Sequence, residues 1–167
     1  MNPPHPDLRV YFNFRSPYCY LASKRMFALF DAFTVDIAWK PLGGWNGRSP
    51  PERAKSRVPI ARQDVGRWTA KMGIPFNPPP VDTDPTNPAL VSLHAERHGL
   101  LRPYVVEVMR AEWGHGRDIG QPDVLRDICA AIGAPADMVD AAIGDAGGGA
   151  ALDRNWADAQ ADGVIGV

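Results

Sequence analysis

Residues 8–42, LRVYFNFRSPYCYLASKRMFALFDAFTVDIAWKPL, decide the fold. The opening run from Leu8 to Phe14 is aromatic and β-branched and follows a proline-rich start, so it reads as a strand. Arg15-Ser16-Pro17 breaks it, and Pro17 suits the first position of a helix, where its missing N–H is not needed. From Tyr18 to Phe33 apolar residues recur at three and four (Tyr18, Leu21, Ala22, Met26, Leu29, Phe30, Phe33), which predicts a helix. Thr34 to Leu42 alternates as a second strand and stops at Pro41, Gly43 and Gly44. A strand, a long crossover and a second strand make a βαβ unit with parallel strands.

Beyond Trp45 the pattern changes. Residues 46–61 read as loop, punctuated by Asn46, Gly47, Pro50, Pro51 and Pro59. Helices are predicted over Ala61–Met72, Ala89–His98, Tyr104–Trp113, Asp123–Ile132, Ala136–Ile143 and Ala150–Ala161, and Phe76–Pro88 reads as extended. This organises the chain as a βαβ part of an α/β domain (1–45), an all-helical insertion (46–162), and a return toward the first domain (163–167). A two-stranded sheet has little stability alone and leaves bare edges. The reading therefore expects further strands beyond Val167. The alternative is a complete chain whose sheet edges are covered by helices or by a partner.

The totals exclude several classes. With 167 residues, 45% of them hydrophobic and 22% charged, the chain can bury a core as one domain or one with an insertion. A formal net charge of −1 argues against a nucleic-acid binder. No apolar run reaches the roughly 20 residues that span a bilayer, and residues 1–7 lack the pattern of a secretory signal. Two cysteines, Cys19 and Cys129, are too few for a disulfide framework, so a reducing cytoplasm is the expected compartment.

Ser16-Pro17-Tyr18-Cys19 falls where the first strand turns into the first helix. A helix start stabilises an anion, and redox proteins use that place for the first cysteine of C-x-x-C. Here it holds a serine, whose hydroxyl has no comparable access to an anion but can donate a hydrogen bond to another molecule's thiolate. Serine is also among the best helix N-caps, and both roles are open on local sequence alone.

FNFRSPYCYLASKRM (Phe12–Met26) resembles the opening of the 2-hydroxychromene-2-carboxylate isomerases and kappa-class glutathione transferases, within the DsbA-like thioredoxin superfamily. WKPLGG (Trp39–Gly44), Arg57 with Asp64 followed by Gly73-Ile74-Pro75, EWGHGRDI (Glu112–Ile119) and GVIGV (Gly163–Val167) are similar to later segments of that family in the same order. The resemblance implies a thioredoxin-like fold with a large helical insertion, a homodimer, and glutathione as cofactor for a small aromatic substrate. It implies that Ser16 holds the glutathione sulfur as thiolate and that Val167 pairs its backbone with the tripeptide. Tyr18, Asn46, Arg57 and Asp64 are the other glutathione contacts that it implies. Arg57 stands where the family has a lysine, which keeps the charge and changes the geometry. Asn46 sits at a different spacing from the prolines that follow it. The implied activity is isomerisation of a 2-hydroxychromene-2-carboxylate-like aromatic by addition and elimination of the thiolate. The alternatives are a kappa-type transferase, a DsbA-type thiol-disulfide oxidoreductase, and a non-catalytic glutathione- or peptide-binding module.

Other residues read more plainly. Cys19, in the second-cysteine position, and Cys129, between Ile128 and Ala130, are expected as buried inert thiols. His94 and His98 have metal-ligand spacing without a recognisable third ligand, so an exposed face is expected. His115 lies between two glycines and could line the site. Trp45, Trp68 and Trp113 are candidates for an aromatic wall or for the core. Gly147-Gly148-Gly149 reads as a hinge before the last helix rather than a phosphate loop.

Overall fold

The computed structural model describes residues 6–44 and 51–167, with side chains in the second stretch described from residue 56 onward. Strand β1 (Leu8–Phe12) pairs in parallel with β2 (Ile37–Pro41), Val10 opposite Trp39 and Phe12 opposite Pro41. Between them run α1 (Pro17–Ser23) and α2 (Met26–Ala32). The single helix expected over Tyr18–Phe33 is broken because Ser23 Oγ donates to the Tyr20 carbonyl at 2.7 Å. Lys24 and Arg25 then bond back only three residues, and Arg25 leaves the helical region at φ −133°.

The remaining chain is helical: α3 (Pro51–Met72), α4 (Thr86–Arg97), α5 (Leu101–Met109), α6 (Pro122–Ala131), α7 (Met138–Gly144) and α8 (Ala146–Ala161). Three expectations are corrected. The loop expected up to residue 61 is helix from Pro51 on, with Pro59 inside it. Residues 56–60 are exposed, so Pro59 interrupts the helix bonding on a solvent-facing stretch. Helix α5 does not run through Trp113 as one α-helix, because Arg110–Gly114 widens into a π turn. The glycine triplet is the first turn of α8 and not a hinge. Asp145 Oδ1 caps it by accepting the Gly147 N–H at 2.8 Å. A Cβ on Gly148 would stand 2.7 Å from Leu90 Cδ2, so the glycine permits α8 to close on α4.

The alternation of the strands sets the layers. Val10, Phe12, Trp39 and Pro41 point one way, with Phe12 and Trp39 rings 5.0 Å apart, and join the core of α4, α5 and α6. Full burial of each such side chain contributes about 2–3 kcal/mol, provided that its polar atoms find partners. Trp39 Nε1 donates to Ser92 Oγ at 3.0 Å, and the Tyr104 hydroxyl donates to the Pro88 carbonyl at 3.0 Å. On the other face Arg9 and Tyr11 bond Asp162, and Lys40 bonds Asp158, so the end of α8 lies against the sheet. The Asn155 amide also donates to the Pro41 carbonyl at 3.0 Å, which fixes α8 beside the end of β2.

Candidate functional site

The turn from β1 into α1 is built by Asn13. Its side-chain oxygen accepts the Arg15 N–H at 2.8 Å, and its carbonyl accepts the Ser16 N–H at 2.9 Å. This places Ser16 at the N-cap of α1 with an extended backbone (φ −85°, ψ 121°), and its Oγ accepts the Cys19 N–H at 3.3 Å. Capping uses one lone pair of the oxygen and leaves the hydroxyl proton for donation. The cap role read from sequence is therefore present, and it does not preclude the other.

Ser16 lies at the base of a cleft of about 430 Å³, within the usual size range of small-molecule sites. Its walls are the β1–α1 turn, the end of β2 at Leu42 and Gly44, and one face of α3 with Arg57 and Arg62. Val81, Pro85, Trp156 of α8 and residues 164–167 close it. Arg15, Arg57 and Arg62 are its charged lining groups, and no carboxylate occurs among its described lining residues. The cleft is basic in a chain that is nearly neutral.

Four residues singled out in sequence, Ser16, Tyr18, Arg57 and Val167, thus line one cleft. Asp64 stands behind it and accepts the Tyr18 hydroxyl at 3.0 Å. Burial first and this carboxylate second raise the Tyr18 pKa, while the charge of Arg57 opposes them. Asn46 and Trp45 lie outside the described residues. His115 is exposed and is not among the lining residues, so the structure does not place it in the cleft.

Cys19 is buried beneath Ser16, and desolvation pushes its thiol up against smaller opposing effects of Asn13 and Ser16. Cys129 is buried too, with its thiol pushed up to about 11. Neither is poised as a thiolate. Trp113 belongs to the core, donating to the Phe14 carbonyl at 3.2 Å and stacking on Phe76. Trp68 is half-exposed on a separate groove of about 520 Å³ between α1 and α3. His98 is exposed, but His94 is partly buried and pairs with Asp145 at 3.2 Å, which corrects the exposed face expected for both.

Sequence reasoning passed over Arg15, Arg62 and Glu112. In the sequence Arg15 reads only as part of a strand-breaking turn, although it adjoins Ser16. Glu112 continues the buried stripe Val105, Val108, Met109 at helical spacing, the signal that would have found it. It is fully buried, and burial pushes its carboxyl to about 7 although Arg15 and the Ile119 N–H favour the ionised form.

The DsbA-like thioredoxin domain matches residues 7–167. Among solved structures, a 2-hydroxychromene-2-carboxylate isomerase superposes with a TM-score of 0.79 at 20% identity, over 96% of this chain and 82% of that one. The cytosolic disulfide reductase DsbM from Pseudomonas aeruginosa gives 0.67 at 22% identity, over 92% and 76%. A probable DsbA oxidoreductase from Streptomyces coelicolor gives 0.72 at 16% identity, over 98% and 78%. These likenesses establish the fold. No curated protein matches the chain. No helix among the described residues is long and apolar enough to cross a membrane.

Proposed function

The chain belongs to the DsbA-like thioredoxin family, and within it we propose a glutathione-dependent isomerase or transferase acting on a small aromatic electrophile. One observation carries this reading: the place that holds a reactive thiol in redox relatives holds the Ser16 hydroxyl, in a basic cleft, over a cysteine that is buried and protonated. A chain without its own thiolate there can still use a borrowed one.

The residues fit the tripeptide, which carries two carboxylates and a thiol. Glutathione, when bound, supplies a nucleophilic sulfur that adds to a conjugated carbon and, in an isomerase, is later eliminated unchanged. A transferase uses the same addition and releases the adduct. Ser16 donates its free hydroxyl proton to the sulfur and so favours its anionic form. Arg57 and Arg62 on α3 offset the tripeptide's carboxylates, Arg with its planar donor fork. Tyr18, oriented by Asp64, adds a side-chain contact, and Val167 a backbone one; Asn46 completes the proposed set. The proposed assembly is a cytoplasmic homodimer, with residues 46–162 as the insertion that supplies α3 to the site.

Calorimetry with glutathione, with absorbance of the bound thiolate followed in the same samples, tests the reading. Wild type is expected to bind with release of a proton, and Ser16→Ala to bind without forming the thiolate. A thiol-disulfide oxidoreductase is the competing reading, since disulfide reductases share the fold. Disulfide reduction by the wild-type chain together with no glutathione-dependent isomerisation or conjugation would decide for it.

A further inference from the structure

The Arg15–Glu112 pair does not enter the mechanism above, and it is unusual on three counts. Arg15 comes from the β1–α1 turn and lines the cleft beside Ser16. Its Nη1 donates to Glu112 Oε1 at 2.9 Å, its Nη2 to the Val81 carbonyl at 3.1 Å, and its guanidinium lies 5.9 Å from the Trp113 ring. Glu112, delivered by the π turn, has a side chain with no exposure at all, and its second oxygen, Oε2, is buried without a hydrogen-bond partner, as is Arg15 Nε. A guanidinium has five N–H donors. Two are spent on the protein and the Nε–H is enclosed, which leaves two on the terminal nitrogens.

A buried ion pair is held at a desolvation cost, and apolar residues would pack the same space more cheaply. Such a pair makes sense where the cation faces a ligand. We propose that Arg15 is a carboxylate subsite of the cleft, that Glu112 is its positioning residue, and that a carboxylate docking on Arg15 brings a proton to Glu112. The subsite rests on the glutathione reading in one respect, in that it assigns this carboxylate to the second substrate and leaves the tripeptide to Arg57 and Arg62.

The proton follows from charge. A second carboxylate on the same guanidinium sets two anions against one cation in a poorly hydrated place, and like charges there cannot both stay ionised at little cost. Glu112 yields, because burial already holds its carboxyl at about 7. The charges acting on it are Arg15 and, in the repulsive sense, Asp118, and the nearby Ile119 N–H favours its ionised form. Around the π turn, Tyr20 of α1, Lys24 just after it, Glu107 of α5 and Arg110 at the start of the turn act on one another. In the bound state the proton from solvent is on Glu112 and Arg15 carries its charge to the ligand, so the complex gains one proton per carboxylate.

The test is calorimetry on the full chain with 2-hydroxycinnamate as the probe, at pH 6.5, 7 and 8 in two buffers of different ionisation heat. S-methylglutathione, which has no thiol to ionise, is titrated separately. Wild type is expected to take up nearly one proton per cinnamate at pH 8, and its affinity to fall about fivefold from pH 7 to pH 8. Glu112→Gln is expected to bind at all three pH values with no uptake. Arg15→Met, and Arg15→Met with Glu112→Met should the single change unfold the chain, are expected to weaken cinnamate at least about tenfold and to keep S-methylglutathione. Wild-type binding without proton uptake, no cinnamate binding at pH 6.5, or loss of S-methylglutathione in place of cinnamate would each overturn the proposal. If cinnamate behaves as expected while S-methylglutathione fails to bind wild type, the subsite stands and the glutathione reading falls.

Discussion

Among the described residues, α1 and α8 each begin under the side chain of their N-cap residue, and the two caps differ in what is left over. Asp145 at the head of α8 gives Oδ1 to the Gly147 N–H at 2.8 Å, and its Oδ2 receives His94 at 3.2 Å and Arg97 at 3.4 Å. Ser16 at the head of α1 receives one N–H at a longer 3.3 Å and opens onto a basic cleft. The first cap is engaged by the protein on both oxygens, and the helix behind it closes on α4 at Gly148. The second has a proton to spare. A residue type that suits a helix start is thus compatible with a packing role or a binding role, and what surrounds its remaining hydrogen-bonding capacity separates the two.

The strongest way to break this contrast is Ser16→Ala. Glutathione-dependent turnover is expected to fall by about 10²–10³, as when one donor to a developing anion is removed, while stability falls by only about 1 kcal/mol for the lost cap. A turnover unchanged within twofold would make Ser16 a cap like Asp145. Glu112→Gln sharpens the contrast through pH. The folded chain holds the Glu112 proton up to about 7, whereas the unfolded chain loses it near 4.5. Stability therefore falls as pH rises across that window, by up to about 3 kcal/mol from this group. Denaturant melts at pH 4.5 and 7.5 should show this slope reduced in Glu112→Gln.

Gly148→Val probes the closed side. The added branch meets Leu90, and a loss of about 1–3 kcal/mol is expected, with glutathione binding unchanged. The smallest effect belongs to Asp145→Ala, for which a Tm lowered by a few degrees at neutral pH is expected. The Gly147 N–H and His94 hold the Asp145 carboxyl below its ordinary range. Its contribution is present at neutral pH and lost as pH falls through the depressed value, the opposite slope to that of Glu112. Equal melting of wild type and Asp145→Ala at pH 7 would show the Asp145 cap to be idle.

How much of this was legible depended on distance along the chain. The parallel βαβ start was readable because the strand and helix periods are local. The break at Ser23 was not, since it depends on a hydroxyl choosing the Tyr20 carbonyl over solvent. Pro59 read as a loop signal, yet the helix carries it on an exposed stretch. The glycine triplet read as flexible because its sequence does not show Leu90 waiting 2.7 Å from a missing Cβ. At the site, Ser16 and Tyr18 were evident as neighbours of a strand–helix turn. Arg57 and Val167 were placed by resemblance alone, and Glu112 was missed because a carboxylate on an apolar stripe was not weighed as buried.

The parallel strand–helix–strand opening and the chemistry at the head of α1, a hydroxyl with a cysteine three residues on, are written in the sequence, because these follow from backbone preferences and side-chain types within a few residues. Only the tertiary structure decided that arginines from the β1–α1 turn and from α3 would face one cleft with residues 164–167, and that Glu112 would be sealed against Arg15. The physical reason is that charge and solvation at a point depend on every atom within several ångströms, and most of those atoms belong to segments far away in the chain.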